Sequence, residues 1–351
     1  SDGDVNMRFD FVAIDLNGDG DTTDPDEGFF RVYESTDADW VSGNVPEVQT
    51  CTTDWRVRVR CRTEETIEGS DHCGDFHSGQ FLSSADHDPG VTHNQNAALN
   101  SSSKQCFLGG DPQITNGFVA TDARGGYVKW TGNVDSRLAG RADREYLFPL
   151  SRALNPNFKG VLFVDGSIGV SGIIRGQITV AATGDVVFLD DTMYATNPAA
   201  GTCVDNAGYF AGDDVVVADN ALNAPVAVSG SAYKTFDDTS DEFFHGVVLA
   251  LDIFTVDNYN SGSNNAQPCE GRNTGRGCLY LTGGIIQDTR GAVGLTSGQG
   301  YSKRYAYDPC AATNPPPYFP TTGRFAKGQQ FYVDPTGFDV SKFYALLTPR
   351  N

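Results

Sequence analysis

Apolar and polar positions alternate along much of this chain, and the period is that of strands. Arg8–Ile14 and Phe29–Tyr33 are short aromatic and β-branched runs, and a polar, acidic loop lies between them. That pattern predicts strand, loop, strand. In WRVRVRC, residues Trp55, Val57, Val59 and Cys61 alternate with Arg56, Arg58 and Arg60, the mark of a half-buried strand. Its arginine face is either solvated or set against an acidic neighbouring strand. Because Trp55–Arg60 reads as extended, it is expected to hold Cys51 and Cys61 apart. Residues 64–118 are rich in Ser, Asp, His, Asn and Gly and show almost no periodicity, which predicts a long, cysteine-pinned loop region. Tyr127–Trp130 and Tyr146–Leu150 read as further short strands, with one or two helical turns in the intervening SRLAGRADRE.

From Phe158 the texture changes. Short β-branched runs are broken by Gly, Asp or Ser every few residues, and similar runs recur at Asp214–Ala218, Pro225–Ser229, Gly246–Val256 and Cys278–Ile286. Strands separated by glycine corners suit a parallel β-solenoid, in which each coil buries a stripe against its neighbours. No strict period holds, and a β-sandwich with long insertions is the alternative. The expected class is mainly β, in three parts. Residues 1–150 form a disulfide-pinned β-rich region, 151–300 a solenoid-like body, and 301–351 a Pro/Tyr-rich capping or docking tail around Pro315–Pro317.

Composition narrows the partners. A net charge of −20 argues against nucleic acid and bare anionic membranes, which clustered Lys and Arg would bind. An acidic surface favours cations and solubility outside the cell. No apolar run approaches the roughly 20 residues of a spanning helix. The opening SDGDVNMRFD reads as the start of a folded region, so a leader or anchor is expected ahead of it. Of the eight cysteines, Cys51, Cys61, Cys73, Cys106, Cys203, Cys269, Cys278 and Cys310, none forms a C-x-x-C pair. Zinc ribbons and thioredoxin-like motifs are thereby excluded, and disulfides are expected. Locality favours Cys269–Cys278, joined by a glycine-rich loop, with Cys73–Cys106 as a second pairing.

The densest chemistry is DLNGDGDTTDPDE. Asp15, Asn17, Asp19 and Asp21 fall at alternate positions, Gly20 supplies a sharp turn, and Asp26 and Glu27 follow at the place of a closing acid. Calcium takes roughly six to eight hard oxygens, and this spacing wraps them around one ion. The strand-like flanks predict a hairpin version of such a loop, and calcium is the expected cofactor. Four of the five histidines cluster as His72, His77, His87 and His93, in no standard zinc spacing. A solvated loop is the plainer reading of them. Asp190–Asp191, Asp213–Asp214 and Asp237–Asp238, with His245, invite comparison with polysaccharide hydrolases that pair an acid with a base. Adjacent aspartates also make ordinary coil corners, and the expectation is that the chain is not an enzyme. Asn100-Ser101-Ser102 is a glycosylation triplet of little specificity.

Several stretches are similar to an uncharacterised family of bacterial secreted proteins that occur with type IV pilus components. They are Gly283–Gly294, Gly300–Pro309, Pro315–Pro320, the acidic loop with the GFFRVY after it, CGDFH at Cys73 and CFLGGDP at Cys106. The resemblance implies an extracellular, surface-exposed or pilus-associated protein with a solenoid-like body, and brings no activity with it. The resulting expectation is a structural or adhesive subunit of an extracellular appendage, partnered by itself or by other subunits. The alternative is a calcium-dependent protein that binds or cleaves carbohydrate.

Overall fold

A computed structural model describes residues 7–35, 120–122, 125–217, 241–256, 259–260, 269, 275 and 277–320, together with short strands at 47–53, 59–65, 76–77 and 80–81. The His72–His93 cluster, Cys73, Cys106, Asp237–Asp238, Pro225–Ser229 and the Asn100 triplet lie outside the described side chains. Ser1–Phe319 cluster as one compact unit and Pro320–Asn351 as a second, of which only Pro320 is described.

The protein is mainly β. Among the described residues, fourteen strands join in one mixed sheet. It begins as the predicted hairpin: β1 (Met7–Ala13) and β2 (Gly28–Ser35) pair antiparallel from Met7 opposite Glu34 to Ala13 opposite Gly28. Two short strands, β8 (Gly125–Tyr127) and β9 (Phe148–Pro149), continue along β2. The other edge of β1 pairs parallel with β11 (Ile168–Ile174), so the N-terminal hairpin shares one hydrogen-bonded surface with the central region.

Beyond β11 the described strands pair with one another in parallel. One ladder runs through β10 (Val161–Val164), β12 (Gln177–Ala182), β14 (Asn206–Ala211) and the first half of β16 (Glu242–Val256). A second runs through β11, β13 (Val186–Tyr194), β15 (Val215–Val217) and the second half of β16. Then β17 (Cys278–Thr289) pairs with β16, and β18 (Ser302–Tyr307) pairs with β17. Partners share their offsets in both ladders: Thr179 stacks on Val161 and Val186 on Ile168, Gly208 on Thr179 and Val215 on Val186, Val247 on Gly208 and Phe254 on Val215. The step from first ladder to second is therefore invariant, from Val161 to Ile168, Thr179 to Val186, Gly208 to Val215 and Val247 to Phe254. The return step varies, which explains why no strict period shows in the sequence.

Inward residues of these rungs stack as one apolar column that includes Val164, Ile168, Val180, Phe188, Tyr209, Phe244, Phe254 and Leu281. Phe188 lies between Tyr209 and Phe244, with ring centroids 4.8 and 4.5 Å away. Apolar burial of this kind contributes about 25 cal/mol per Å². Near the strand ends, side chains carry hydrogen bonds from rung to rung. Ser167 Oγ accepts from the Asp185 amide (2.9 Å), Asp185 Oδ1 from the Asp214 amide (2.9 Å), and Asp214 Oδ1 from the Ile253 amide (3.1 Å). Each bond satisfies an amide that a turning backbone leaves unpaired.

Two disulfides pin the body. Cys269–Cys278 closes the short glycine-rich loop, as locality predicts, and Cys203–Cys310 joins residues 107 apart. Cys51 and Cys61 face one another in the antiparallel register of β3 (Glu47–Thr53) and β4 (Val59–Glu65). The expectation that a strand would hold them apart is corrected, because β3 and β4 pair antiparallel with Cys51 opposite Cys61. Near the tail, Gly300–Tyr307 contributes strand β18 to the sheet. The short helix Pro309–Thr313 follows, capped by Asp308.

Candidate cation-binding loop

The acidic loop closes the β1–β2 hairpin. Ile14 donates to the Glu27 carbonyl (2.9 Å), and the buried Glu27 carboxylate spans the neck, accepting from the Leu16 amide (2.8 Å) and the Asp24 amide (3.0 Å). Asp and Asn side chains bond readily to amides a few residues on, and this folds the loop. Asp15 accepts from Gly18 (2.6 Å) and Gly20 (2.9 Å), Asn17 Oδ1 from Asp19 (2.9 Å), Asp19 from Asp21 (3.2 Å), and Asp21 from both Thr23 donors. Gly18 and Gly20 have φ of 77° and 96°, conformations that favour glycine.

Two arginines fasten the loop from outside. Arg175, 4% exposed, donates through Nε to the Asp24 carbonyl (3.0 Å) and through a terminal nitrogen to the Thr23 carbonyl, while its other arm pairs with Asp205 at 2.6 Å. Arg137 pairs with Asp26 at 2.7 Å and with Asp135 at 2.6 Å. Negative charge accumulates around Asp24. Its carboxyl is pushed up first by desolvation and then by the charges of Glu27, Asp19, Asp21 and Asp26. Asp21 is held down by its hydrogen bonds from Thr23. The side-chain oxygens of this loop, carboxylates and one amide oxygen, are of the kind a hard divalent cation favours. Asp15, Asn17, Asp19, Asp21, Asp26 and Glu27 all fall in this one loop, and the structure adds Asp24, whose Oδ2 accepts from Asn17 Nδ2 at 2.7 Å.

The loop is nevertheless arranged around amides. Among the described residues, the trio of acidic groups with oxygens within 4.8 Å of one another is Asp213, Asp214 and Asp252, at a coil corner. Burial and then the neighbouring amide and carboxylates govern Asp214, whose carboxyl is raised. Asp191, the described member of its pair, accepts from the Phe243 amide at 2.6 Å. His245 packs edge-on against Tyr194, whose amide donates to its Nδ1 at 3.0 Å, and desolvation lowers it to about 4. Among the described residues, Asp191, Asp214 and His245 each accept a hydrogen bond from a backbone amide.

A buried ionic cluster escaped the sequence reading. Arg8, Asp10 and Arg31 are at most 1% exposed. Arg8 Nε lies 2.8 Å from Asp10 Oδ1, and the Tyr127 hydroxyl both accepts from Arg8 (2.7 Å) and donates to Asp10 (2.5 Å). Arg31 reaches Asp143 at 3.3 Å, and Arg141 reaches the same carboxylate at 2.8 Å. The alternation Arg8, Phe9, Asp10, Phe11 looks like one wet face and one dry one, but both faces of β1 are covered. The available signal was the cross-strand partnership of Asp10 with Arg31 once the hairpin register is drawn.

Among the described residues no helix is long and apolar enough to cross a membrane. No known family, curated protein or solved structure matches the chain.

Proposed function

We propose that this chain is an extracellular structural or adhesive subunit of a bacterial surface appendage, with calcium in the Asp15–Glu27 loop and a coiled, solenoid-like body. The observation that carries the reading is mechanical continuity. The loop-bearing hairpin is a rung of the sheet through β1 and β11, and Arg175 grips two loop carbonyls from the body. An ion held by Asp15, Asn17, Asp19, Asp21, Asp24, Asp26 and Glu27 would therefore stiffen more than its own loop. Disulfides suit an oxidising compartment. Calcium sensors work by moving helices, and strands flank this loop on both sides. The role assigned to the ion is that of a brace.

Strand β10 offers a contact for assembly. Among the described residues it pairs on one side only, with β12, and it presents Phe163 at 66% exposure. An edge of this kind extends by taking another strand, and a heterologous contact propagates into a filament. Electron microscopy of purified full-length protein, with calcium and with chelator, tests the reading. Ordered fibres that thin or disappear on chelation are expected. Monodisperse particles under both conditions would contradict it and favour the carbohydrate-directed alternative.

A further inference from the structure

At the far end of the ladders from the loop-bearing hairpin lies a groove of about 430 Å³. Its origin is a change of side chain along two paired strands. On β17 and β18 the register sets Leu279 opposite Lys303, Leu281 opposite Tyr305 and Gly283 opposite Tyr307, so all six share one face. Leu279 and Leu281 fill their positions and are buried. Gly283 cannot, because a Cβ there would sit 1.7 Å from the Gly246 carbonyl oxygen; Gly291 is held the same way, 2.1 Å from the Phe254 oxygen. Obligatory glycines leave the space, and Tyr305 and Tyr307 stand over it, 44% and 63% exposed.

The two charged groups that line this groove, Arg290 and Lys303, are both cations and donors. Gln287 also lines the groove; its Oε1 is taken by the Phe254 amide (2.8 Å) and the Gly291 amide (3.3 Å), so its NH2 group is what it has left to offer a ligand. Among the described residues neither Arg290 nor Lys303 forms an ion pair, and in a chain of net charge −20 they stand side by side. Desolvation and then the Arg290 charge lower Lys303, so the two cations repel within reach of each other. A guanidinium prefers a planar oxyanion that it can hold with two parallel bonds, and a phenol ring packs on the C–H face of a flat ligand.

We infer that this groove binds a uronate residue of an acidic glycan, its carboxylate between Arg290 and Lys303 and its pyranose ring against Tyr305 and Tyr307. The amide of Gln287 is the third donor to the carboxylate or an adjacent hydroxyl. The inference stands apart from filament formation and from calcium, since a monomer with an empty loop carries the same groove.

The test is calorimetric titration of the full chain, in chelator, with tri-galacturonate and with the neutral galactose trisaccharide of the same linkage. Binding of the uronate alone is expected, weakened about tenfold or more in Arg290→Gln and in Lys303→Gln, and weakened in Tyr305→Ala. Melting curves of the three variants show whether each is folded, and slower amine labelling of Lys303 in the presence of tri-galacturonate reports occupancy in the wild-type chain. Equal binding of the neutral sugar, or undiminished binding in the folded charge variants, would overturn the assignment. So would a wild-type chain that takes up no uronate but self-associates in sedimentation, with Arg290→Gln releasing it; the occupant would then be a second copy.

Discussion

The molecule uses aspartates in two regions, and the two differ in how far each carboxylate reaches. In the Asp15–Glu27 loop, Asp15, Asp19 and Asp21 accept from amides two to five residues away. At the coil corners Asp185 reaches across 29 residues, Asp214 across 39 and Asp191 across 52. Local bonds form whenever the loop folds and can be exchanged for an ion without disturbing the body. Long-range bonds exist only when distant strands of the sheet are paired. The loop acids are therefore suited to ligand exchange, and the corner acids to holding register. Glu27 stands between the two, buried at the loop neck and bonded across it to Leu16.

The largest expected effect belongs to the covalent counterpart of the corner bonds. Replacing Cys203 and Cys310 together by Ser, a pair 107 residues apart, should cost about 2–5 kcal/mol in denaturant unfolding. An unchanged midpoint would mean that the non-covalent ladder alone fixes that end. Next comes Asp185→Ala, which leaves the Asp214 amide without its acceptor and should cost about 1–3 kcal/mol, equally with calcium or chelator. A calcium-dependent cost there would erase the distinction between the two regions.

His245 gives a pH signature to the body. Its folded value of about 4 lies below the ordinary 6.5, chiefly through desolvation, so the unfolded chain binds the extra proton between those values. Stability should therefore rise with pH across this window, by about 1–2 kcal/mol for this one group, and be lost as pH falls toward 4. Unfolding midpoints of wild type and His245→Gln measured at several pH values check this, with the slope expected to flatten in the variant. The smallest effect is expected in the loop. Asp21→Asn in chelator should change stability by no more than about 0.5 kcal/mol, while diminishing any rise in melting temperature on adding calcium.

Much of the local architecture could be read from the residues. The hairpin around the acidic loop, the helical turns in SRLAGRADRE, the strand runs after Phe158 and the Cys269–Cys278 pair all follow from short-range pattern. What escaped depends on stacking. The constant step between ladders is hidden by return segments of changing length, and Cys203–Cys310 has no local signal. The aspartate pairs left an acid–base reading open beside that of ordinary corners, because sequence shows carboxylate density but not which backbone amide a carboxylate meets. The burial of Arg8 and Asp10 was not foreseen, because nothing local announces that β1 is covered on both sides. The groove beside β18 was missed for a related reason, since its space is made by glycines set against the backbone of the neighbouring strand.

The brace in the loop is the central claim, and calcium titration into chelator-treated full-length protein, followed by calorimetry and by thermal unfolding, tests it most directly. A binding heat and a higher melting temperature for the whole β unit are expected, both lost when Asp15 and Asp19 are replaced by Ala. No heat and an unmoved transition would contradict it, and the acidic loop would then be a turn held by its own amides and by Arg175 and Arg137.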